Sequence, residues 1–343
     1  MVNRATLRVE GELQAFLSEV LDGQTRQIVE AWGTAWDRAQ AELDAALLEL
    51  ASTAEDRITR TMVLRSSRAQ AGLASLAEAL EIAAMQTGQT ISADLQRVIH
   101  EAATAEYDML ATQTGPRRGV LVADLTRADP AQVAMMVERA TQQITSLALP
   151  VAAETAAVIR GELLRGITVG SNPREAARRM VRAAEDKVNF GLSRALTISR
   201  TEMLDATRAA AQHVDERNSS VVTGWTWVAA LTSRTCPACL SMHGRVFPVE
   251  EPGPLGHQQC RCARVPITKS WRDLGIDLPD TPRAVPDAEA FFRGLPESKQ
   301  VAILGPQRHE AWVRGDYPME RWATRRSNEG WRDSYVMTKA PAA

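Results

Sequence analysis

Cysteine is the residue type whose spacing in this chain most clearly indicates chemistry. All four cysteines of the 343-residue chain lie between Cys236 and Cys262. Cys236 and Cys239 have the C-x2-C spacing with which a turn directs two thiolates at one ion. Cys260 and Cys262 are one residue apart, so on an extended segment their side chains point to the same face. With His257, five candidate ligands are available for the four positions of a tetrahedral metal site.

Zinc is the ion that these ligands select. Thiolate and imidazole groups favour Zn2+ over Mg2+ or Ca2+, and no cluster of carboxylates lies beside them in the sequence. We expect a closed, structural Zn2+ site that uses Cys236, Cys239 and one or both of the later cysteines, with His257 competing for the last position. His243 precedes Gly244, is expected to face solvent in a turn, and is a weaker candidate ligand.

Other uses of the cysteines are less favoured. A disulfide within the C-x2-C pair would be strained, and cysteines confined to one short segment are not typical of a secreted disulfide framework. A catalytic zinc needs an open coordination position and a general base, but neither H-E-x-x-H nor H-x-E occurs. An HNH-type nuclease is disfavoured because the sequence has no Asp-His pair to activate water. We therefore predict no catalytic residues, and the alternatives are a zinc-dependent enzyme, nuclease or toxin-like, and an adaptor that contacts DNA.

Apolar spacing and proline distribution indicate long helices before the cysteines and short elements after them. Twelve of the sixteen prolines follow Cys236, and none precedes Pro116. In the first part an apolar residue recurs every three, four or seven positions, which indicates helices with one buried stripe. The stripe includes Ile28, Trp32, Trp36, Leu43, Leu47, Leu50, Ile58 and Met62. We predict a helical bundle or hairpin over residues 1–115.

The segment 116–218 is predicted to be helical after a break at its start. One helix is expected from about 130 to 165, and another follows Ser171 or Asn172, either of which can cap it before Pro173. Residues 219–272 form the predicted zinc-binding, β-rich region, because "VVTGWTWVAAL" has the alternation and β-branched residues of a strand.

The segment 273–343 is predicted to contain a Pro-rich connector at 279–286 and short helices joined by Gly-Pro turns. Trp312, Trp322 and Trp331 are more typical of packing or docking residues than of a base-stacking platform. The polar end of the chain, from Arg325 on, is expected to be mobile. The predicted fold is thus mainly α: a long N-terminal helical region, an α+β domain with a small zinc-stapled β region, and a short helical tail.

Charge and hydropathy limit the partners of the chain. The formal net charge of -2 excludes a strongly basic protein that coats nucleic acid by bulk charge. Around the cysteines, however, basic residues exceed acidic ones, and Arg261, Arg264 and Lys269 are candidate contacts to DNA phosphates. No secretory leader and no run of ~18 apolar residues is found, so we expect a chain that folds in a cytoplasm without a membrane segment.

The ordered motifs around the cysteines resemble those of the Mu F-like phage head morphogenesis proteins, also called minor head or minor capsid proteins. They are "LTISRTEM" at 196–203, the strand with Trp225 and Trp227, "SRTCPACLSMHGRVF", "GHQQCRC" and "GLPESKQVAILGPQRHEAWVRGD" at 294–316. The resemblance covers roughly residues 140–320. One difference is "PLG" before His257, where a proline closer to the histidine is expected.

The resemblance implies an α+β Mu F-like domain in a virion component that is present in few copies. It implies a role in head assembly at the portal vertex or capsid interior, with the portal protein or the major capsid protein as partner. Packaged DNA is a further candidate partner, bound non-specifically, and the protein either stays in the head or leaves with the DNA during ejection. Arg200 and Glu202 of the Arg-Thr-Glu motif are expected to form a buried or half-buried polar brace rather than a catalytic pair.

Overall fold

The computed structural model describes residues 1–54, 58–115, 125–165, 173–328 and 331–340. The helices are α1 (Arg4–Thr53), α2 (Arg60–Arg65), α3 (Ser67–Thr114), α4 (Pro130–Arg165), α5 (Pro173–Arg217), α6 (Pro237–Met242), α7 (Ala288–Arg293), α8 (Glu297–Leu304) and α9 (Pro306–Arg314). The strands are β1 (Val222–Val228), β2 (Val246–Phe247), β3 (Ala263–Thr268), β4 (Ala323–Asn328) and β5 (Trp331–Met337). The mainly α fold with a late β region is therefore confirmed.

The chain forms two compact units, each built from separate stretches of sequence. The cysteine unit comprises Met1–Leu17, Gln96–Met136 and Met203–Ala343, and the helical unit comprises Ser18–Leu95 and Val137–Glu202. The predicted segments 1–115, 116–218, 219–272 and 273–343 follow the chain linearly, and this division stays a prediction. The proposed caps Ser171 and Asn172 lie outside the described residues, although α5 begins at Pro173 as expected.

The helical unit packs the central parts of α1, α3, α4 and α5 against one another. Trp32 of α1 is fully buried, and its Nε1–H donates to Thr87 Oγ1 of α3 at 3.1 Å. Gly191 of α5 lies so close that an added Cβ would be 2.8 Å from the Trp32 ring and 2.5 Å from Thr155 Oγ1 of α4. The predicted α1 stripe forms this core; its buried members are Ile28, Trp32, Trp36, Leu43, Leu47 and Leu50.

Within the described residues, one segment is long and apolar enough to cross a membrane. It is Pro130–Gly161 in α4, with a mean hydropathy of 1.2 over its most apolar window, 33% of which is buried in the protein. Core helices of globular proteins meet the same criterion, so this property alone does not assign a membrane segment.

The cysteine unit is built on a three-stranded antiparallel sheet of order β2-β1-β3. Trp225 of β1 is opposite Phe247 of β2 and Pro266 of β3. The free edge of β3 is covered by α3, because Gln113 donates to the Pro266 carbonyl at 2.8 Å and accepts from the Thr268 N–H at 3.3 Å. The predicted tryptophan strand is therefore the centre of the sheet.

The short C-terminal helices surround an aromatic cluster. Phe292 of α7 and Trp322 are fully buried and meet edge to face at 4.9 Å between ring centroids. Trp312 of α9 contacts the same phenylalanine at 5.0 Å. Both tryptophans are thus packing residues, while the side chain of Trp331 lies outside the described part.

The prediction that the chain is mobile from Arg325 onward is wrong for the described residues of β4 and β5. Residues of β4 and β5 form an antiparallel hairpin in which Arg325 is opposite Tyr335. The Tyr335 N–H donates to the Leu255 carbonyl at 2.7 Å, and its ring meets Trp227 edge to face at 5.7 Å. One aromatic contact and the backbone pairing order a segment whose polar composition indicated mobility.

Candidate metal centre

Cys236 and Cys239 lie at the start of α6. Cys236 has an extended backbone and precedes the helix, and Pro237 occupies the first turn. The Cys239 N–H donates to Cys236 Sγ at 3.4 Å. The Cys-Pro pair therefore starts the helix, and the first turn returns Cys239 towards Cys236.

His257, Cys260 and Cys262 lie on the segment that leads into β3, which we call the ligand segment (residues 256–262). The Cys260 N–H donates to the His257 carbonyl at 3.1 Å, and Gln259 closes this turn with a φ of 60°. A Cβ on Gly256 would lie 2.2 Å from Cys260 Sγ. Only glycine at position 256 leaves room for the Cys260 sulfur.

The five predicted ligands come together in two groups that share Cys239. The donor atoms of Cys236, Cys239 and His257 lie within 4.8 Å of one another, and so do those of Cys239, Cys260 and Cys262. The Cys239 and Cys260 sulfurs are 3.6 Å apart. That separation is much longer than an S–S bond of about 2.05 Å, and none of the four cysteines is part of a disulfide. It is close to the ~3.8 Å edge of a tetrahedron whose Zn–S distances are about 2.3 Å.

Negative charge on the sulfurs is concentrated at Cys236 and Cys260. A hydrogen bond with Cys239, together with the nearby His257 imidazolium, lowers the pKa of Cys236 to about 5. Hydrogen bonds with Cys239 and Cys262 hold the pKa of Cys260 well below its usual value. The hydrogen bond with Cys236 raises the pKa of His257 to about 9. The protons that stabilise these thiolates are the ones that a bound Zn2+ displaces.

Groups around the sulfurs also suit a metal site. The Trp227 Nε1–H is buried without a hydrogen-bond partner among the described residues, and the indole packs in the cluster that contains Cys239, Cys260 and Cys262. His257 Nδ1 lies 2.6 Å from the Gln258 carbonyl, to which it can donate. This bond leaves Nε2 available to a metal, which is the usual arrangement of metal-binding histidines.

The site is enclosed by aromatic residues. Cys239, Cys260 and Cys262 are 4%, 3% and 7% exposed and pack with Trp225 and Trp227. Neither donor group contains a carboxylate. Buried thiolates without an acid or base beside them are typical of a structural zinc site rather than a catalytic one.

His243 is not a sixth ligand and does not face solvent freely. Its Nδ1 accepts from the Ala229 N–H at 2.9 Å, and its Nε2 lies 3.0 Å from the Pro286 carbonyl. Burial lowers the pKa of His243, in keeping with a neutral ring that accepts at one nitrogen and donates at the other. The histidine therefore joins the end of β1 to the connector before α7.

Arg264 is excluded as a DNA contact, because its side chain is 1% exposed and forms an ion pair with the fully buried Asp215 at 2.8 Å. The remaining nitrogens donate to the carbonyls of Glu251 and Val249 at 2.9 and 2.8 Å. In the sequence Arg264 is one of several basic residues close together, and nothing there indicates that β3 directs its side chain into the interior. Arg261 is exposed, and Lys269 Nζ donates to the Ser220 carbonyl at 2.5 Å; their contact with DNA stays a prediction.

Two further buried acids lie near this pair, beside a small cavity of about 20 Å³. Glu10 of α1 and Glu106 of α3 line it together with Arg208 and Arg264. Burial raises the pKa of Glu10 to about 8, and burial followed by the charge of Asp215 raises that of Glu106 well above its usual value. These acids were not identified from the sequence, because a single polar residue in an amphipathic helix gives no sign that its side chain is buried.

Arg200 and Glu202 lie on α5 in the helical unit, not in the unit that holds the cysteines. Glu202 is buried, whereas Arg200 is half-buried and donates to Thr25 Oγ1 of α1 at 3.3 Å. The neighbouring Ser199 donates to Gln24 of α1 at 2.9 Å. The Arg-Thr-Glu motif thus faces α1, and its role as a polar brace stays a prediction.

Comparison with known protein families relates part of the chain to one family. Residues 157–265 match the family described as Phage Mu protein F like protein. The chain contains a Mu F-like domain. The matched region includes α5, β1 and all five candidate ligands, whereas α1 to α3 and the C-terminal hairpin lie outside it. Searches of curated proteins and of solved structures gave no match.

The Mu F-like domain supports a relationship of this chain to phage head proteins. Mu F-like proteins form a structural phage family, which favours a non-enzymatic role for the chain. The cysteine and histidine cluster inside the domain is compatible with metal binding.

Proposed function

We propose that this Mu F-like protein is a minor structural component of a phage or phage-like head, and that one Zn2+ holds the β-rich part of its domain in shape. The overlap of two features supports this proposal: the matched region 157–265 contains every residue of the two donor groups. In line with the resemblance to head morphogenesis proteins, we further propose contact with the portal protein or the major capsid protein inside the virion.

The positions of the candidate ligands in the chain indicate what a bound Zn2+ would do. Cys236 and Cys239 belong to α6 and its N-terminal cap, whereas Cys260 and the competing Cys262 or His257 belong to the ligand segment before β3. Bound Zn2+ would supply a cross-link between these two segments, so its binding free energy would become folding free energy. The Cys239 N–H, which donates to Cys236 Sγ at 3.4 Å, stabilises charge on one of the sulfurs that would form the cross-link.

The enzyme alternative has less support from the geometry. Three of the four sulfurs are buried, and no carboxylate belongs to either donor group. A hydrolytic zinc needs a coordination position that water and substrate can reach, together with a base that takes a proton from the water.

Substitution of the shared ligand tests the proposal. Cys239→Ser removes the sulfur that belongs to both donor groups. We expect this variant to lose zinc, to lose amide protection over residues 222–268, and to be missing from purified particles. Arg234→Ala, an exposed change near the cysteines, is the matched control and should be incorporated normally. Normal folding and incorporation of Cys239→Ser would contradict the structural role, and a concurrent loss of hydrolytic activity would favour the enzyme.

A further inference from the structure

Two arginines hold the ligand segment through its backbone carbonyls. Arg208 of α5 donates through Nη2 to the carbonyls of Cys260 and Cys262, the latter at 3.1 Å. Arg332 of β5 donates through Nη1 to the Gly256 carbonyl at 2.9 Å. The two guanidinium groups therefore contact the segment at both ends, from a helix on one side and from the C-terminal hairpin on the other.

Asp205 of α5 joins these arginines. Its Oδ1 accepts from Arg208 Nη1 at 2.6 Å and from Arg332 Nη2 at 2.9 Å, and its Oδ2 accepts from Arg332 Nε at 2.8 Å. The Asp205–Arg332 pair is thus a two-point contact, which fixes the orientation of a guanidinium more strictly than a single bond does. We call Arg208, Asp205 and Arg332 the Arg-Asp-Arg clamp.

The clamp has a net positive charge next to the sulfurs. Two guanidinium groups and one carboxylate leave one positive charge, and the Arg208 side chain is only 8% exposed. A site with three or four cysteine thiolates around Zn2+ has a net negative charge. The positive clamp and the negative metal site are therefore electrostatically complementary.

We propose that the clamp couples metal binding to the docking of the C-terminal β4–β5 hairpin. Arg208 and Arg332 act as positioning residues, which hold the carbonyls of the ligand segment so that Cys260 and its neighbours meet α6. Because coupling is reciprocal, a docked hairpin raises metal affinity and a bound metal stabilises the docked hairpin. This inference rests on the proposed zinc site, but it concerns a hairpin that lies outside the Mu F-like match.

Zinc affinity of full-length variants, measured by competition with a chromophoric chelator, tests the coupling. Arg332→Ala should weaken Zn2+ binding by about 10–100-fold, the range found when partners that orient metal ligands are removed. Arg332→Lys keeps the charge but loses the two-point contact, so its affinity should lie between those of the wild type and Arg332→Ala. Thr324→Ala is the matched control, because Thr324 lies on β4 of the same hairpin with an exposed side chain.

Two readouts separate positioning from general stability. The absorption spectrum of the Co2+-substituted protein should change in Arg332→Ala and stay unchanged in Thr324→Ala, because only the former alters ligand geometry. In the wild type, removal of the metal by a chelator should increase amide exchange in residues 331–337 as well as in the ligand segment. This second readout needs no variant and applies even if Arg332→Ala does not fold.

The outcomes distinguish the clamp from the metal site itself. A wild-type protein that binds no Zn2+ would overturn both proposals. A wild type that binds Zn2+, with equal affinity in Arg332→Ala and unchanged exchange in the hairpin after metal removal, would overturn the coupling and leave the zinc site intact.

Discussion

At the scale of single residues, Cys239 and Gly256 set the geometry of the proposed metal centre. Cys239 belongs to both donor groups, and Gly256 provides the space that the Cys260 sulfur occupies. The sequence predicted all five candidate ligands from spacing and residue type alone. It did not predict Asp205, Arg208 and Arg332, because Arg332 lies 127 positions from Asp205 in the chain.

Gly256→Ala should displace a ligand without removing one. The new Cβ would lie 2.2 Å from Cys260 Sγ and 2.5 Å from Cys260 Cβ, so the cysteine has to move. We expect zinc affinity, measured by chelator competition, to fall at least tenfold. Gly294→Ala is the control, since its nearest contact is 3.4 Å and its φ is -75°. Equal zinc affinity in both variants would show that Cys260 is not a ligand.

Glu10 should make stability depend on pH. Its pKa is about 8 in the folded chain against an ordinary value of 4.5. The folded state therefore holds a proton that the unfolded state releases, and stability falls as pH rises from about 4.5 to about 8. Glu10→Gln cannot ionise and can still accept from Gln14, which donates to Glu10 at 2.8 Å. Its melting temperature should exceed that of the wild type at pH 9 and fall less between pH 6 and pH 9; identical pH profiles would argue against the buried acid.

At the scale of elements, apolar spacing predicted the long helices well. The stripe from Ile28 to Leu50 is the buried face of α1, and "VVTGWTWVAAL" contains β1. The spacing reports which face of an element is apolar, but not which partner covers that face. For this reason the two units, each assembled from distant stretches, were not predicted.

Two helix glycines should respond in opposite directions to alanine. A Cβ added to Gly88 of α3 would meet no neighbouring element within 4 Å, so Gly88→Ala should stabilise the chain by roughly 0.5–1 kcal/mol through helix propensity. Gly191→Ala would put a Cβ against Trp32 and Thr155 and should destabilise by roughly 1–3 kcal/mol. Chemical denaturation of both variants measures the difference, and a stabilising Gly191→Ala would contradict the close packing of α5 on α1 and α4.

The C-terminal hairpin consists of two short strands that were not predicted from the sequence. β4 has the sequence "ATRRSN", and its polar and charged residues gave no apolar alternation. The available signal was "WRDSYVM", in which aromatic and β-branched residues are typical of strands. Its order depends on contacts with Leu255 and Trp227, which are distant in sequence.

At the scale of the whole molecule, the Mu F-like domain accounts for about a third of the chain, residues 157–265. The long N-terminal helices and the C-terminal hairpin surround it in sequence but lie outside the match. Within the cysteine unit, residues from α1, α3 and α5 converge on the sheet next to the proposed metal centre. A metal that stabilises this sheet would therefore also stabilise the helix ends that pack on it.

Native mass spectrometry of the purified full-length protein, combined with amide exchange before and after chelation, tests whether one Zn2+ holds the β-rich region in shape. We expect one zinc ion per chain, and a loss of protection over residues 222–268 when the chelator removes it. A chain that contains no zinc and shows the same protection with and without the chelator would rule out a structural metal.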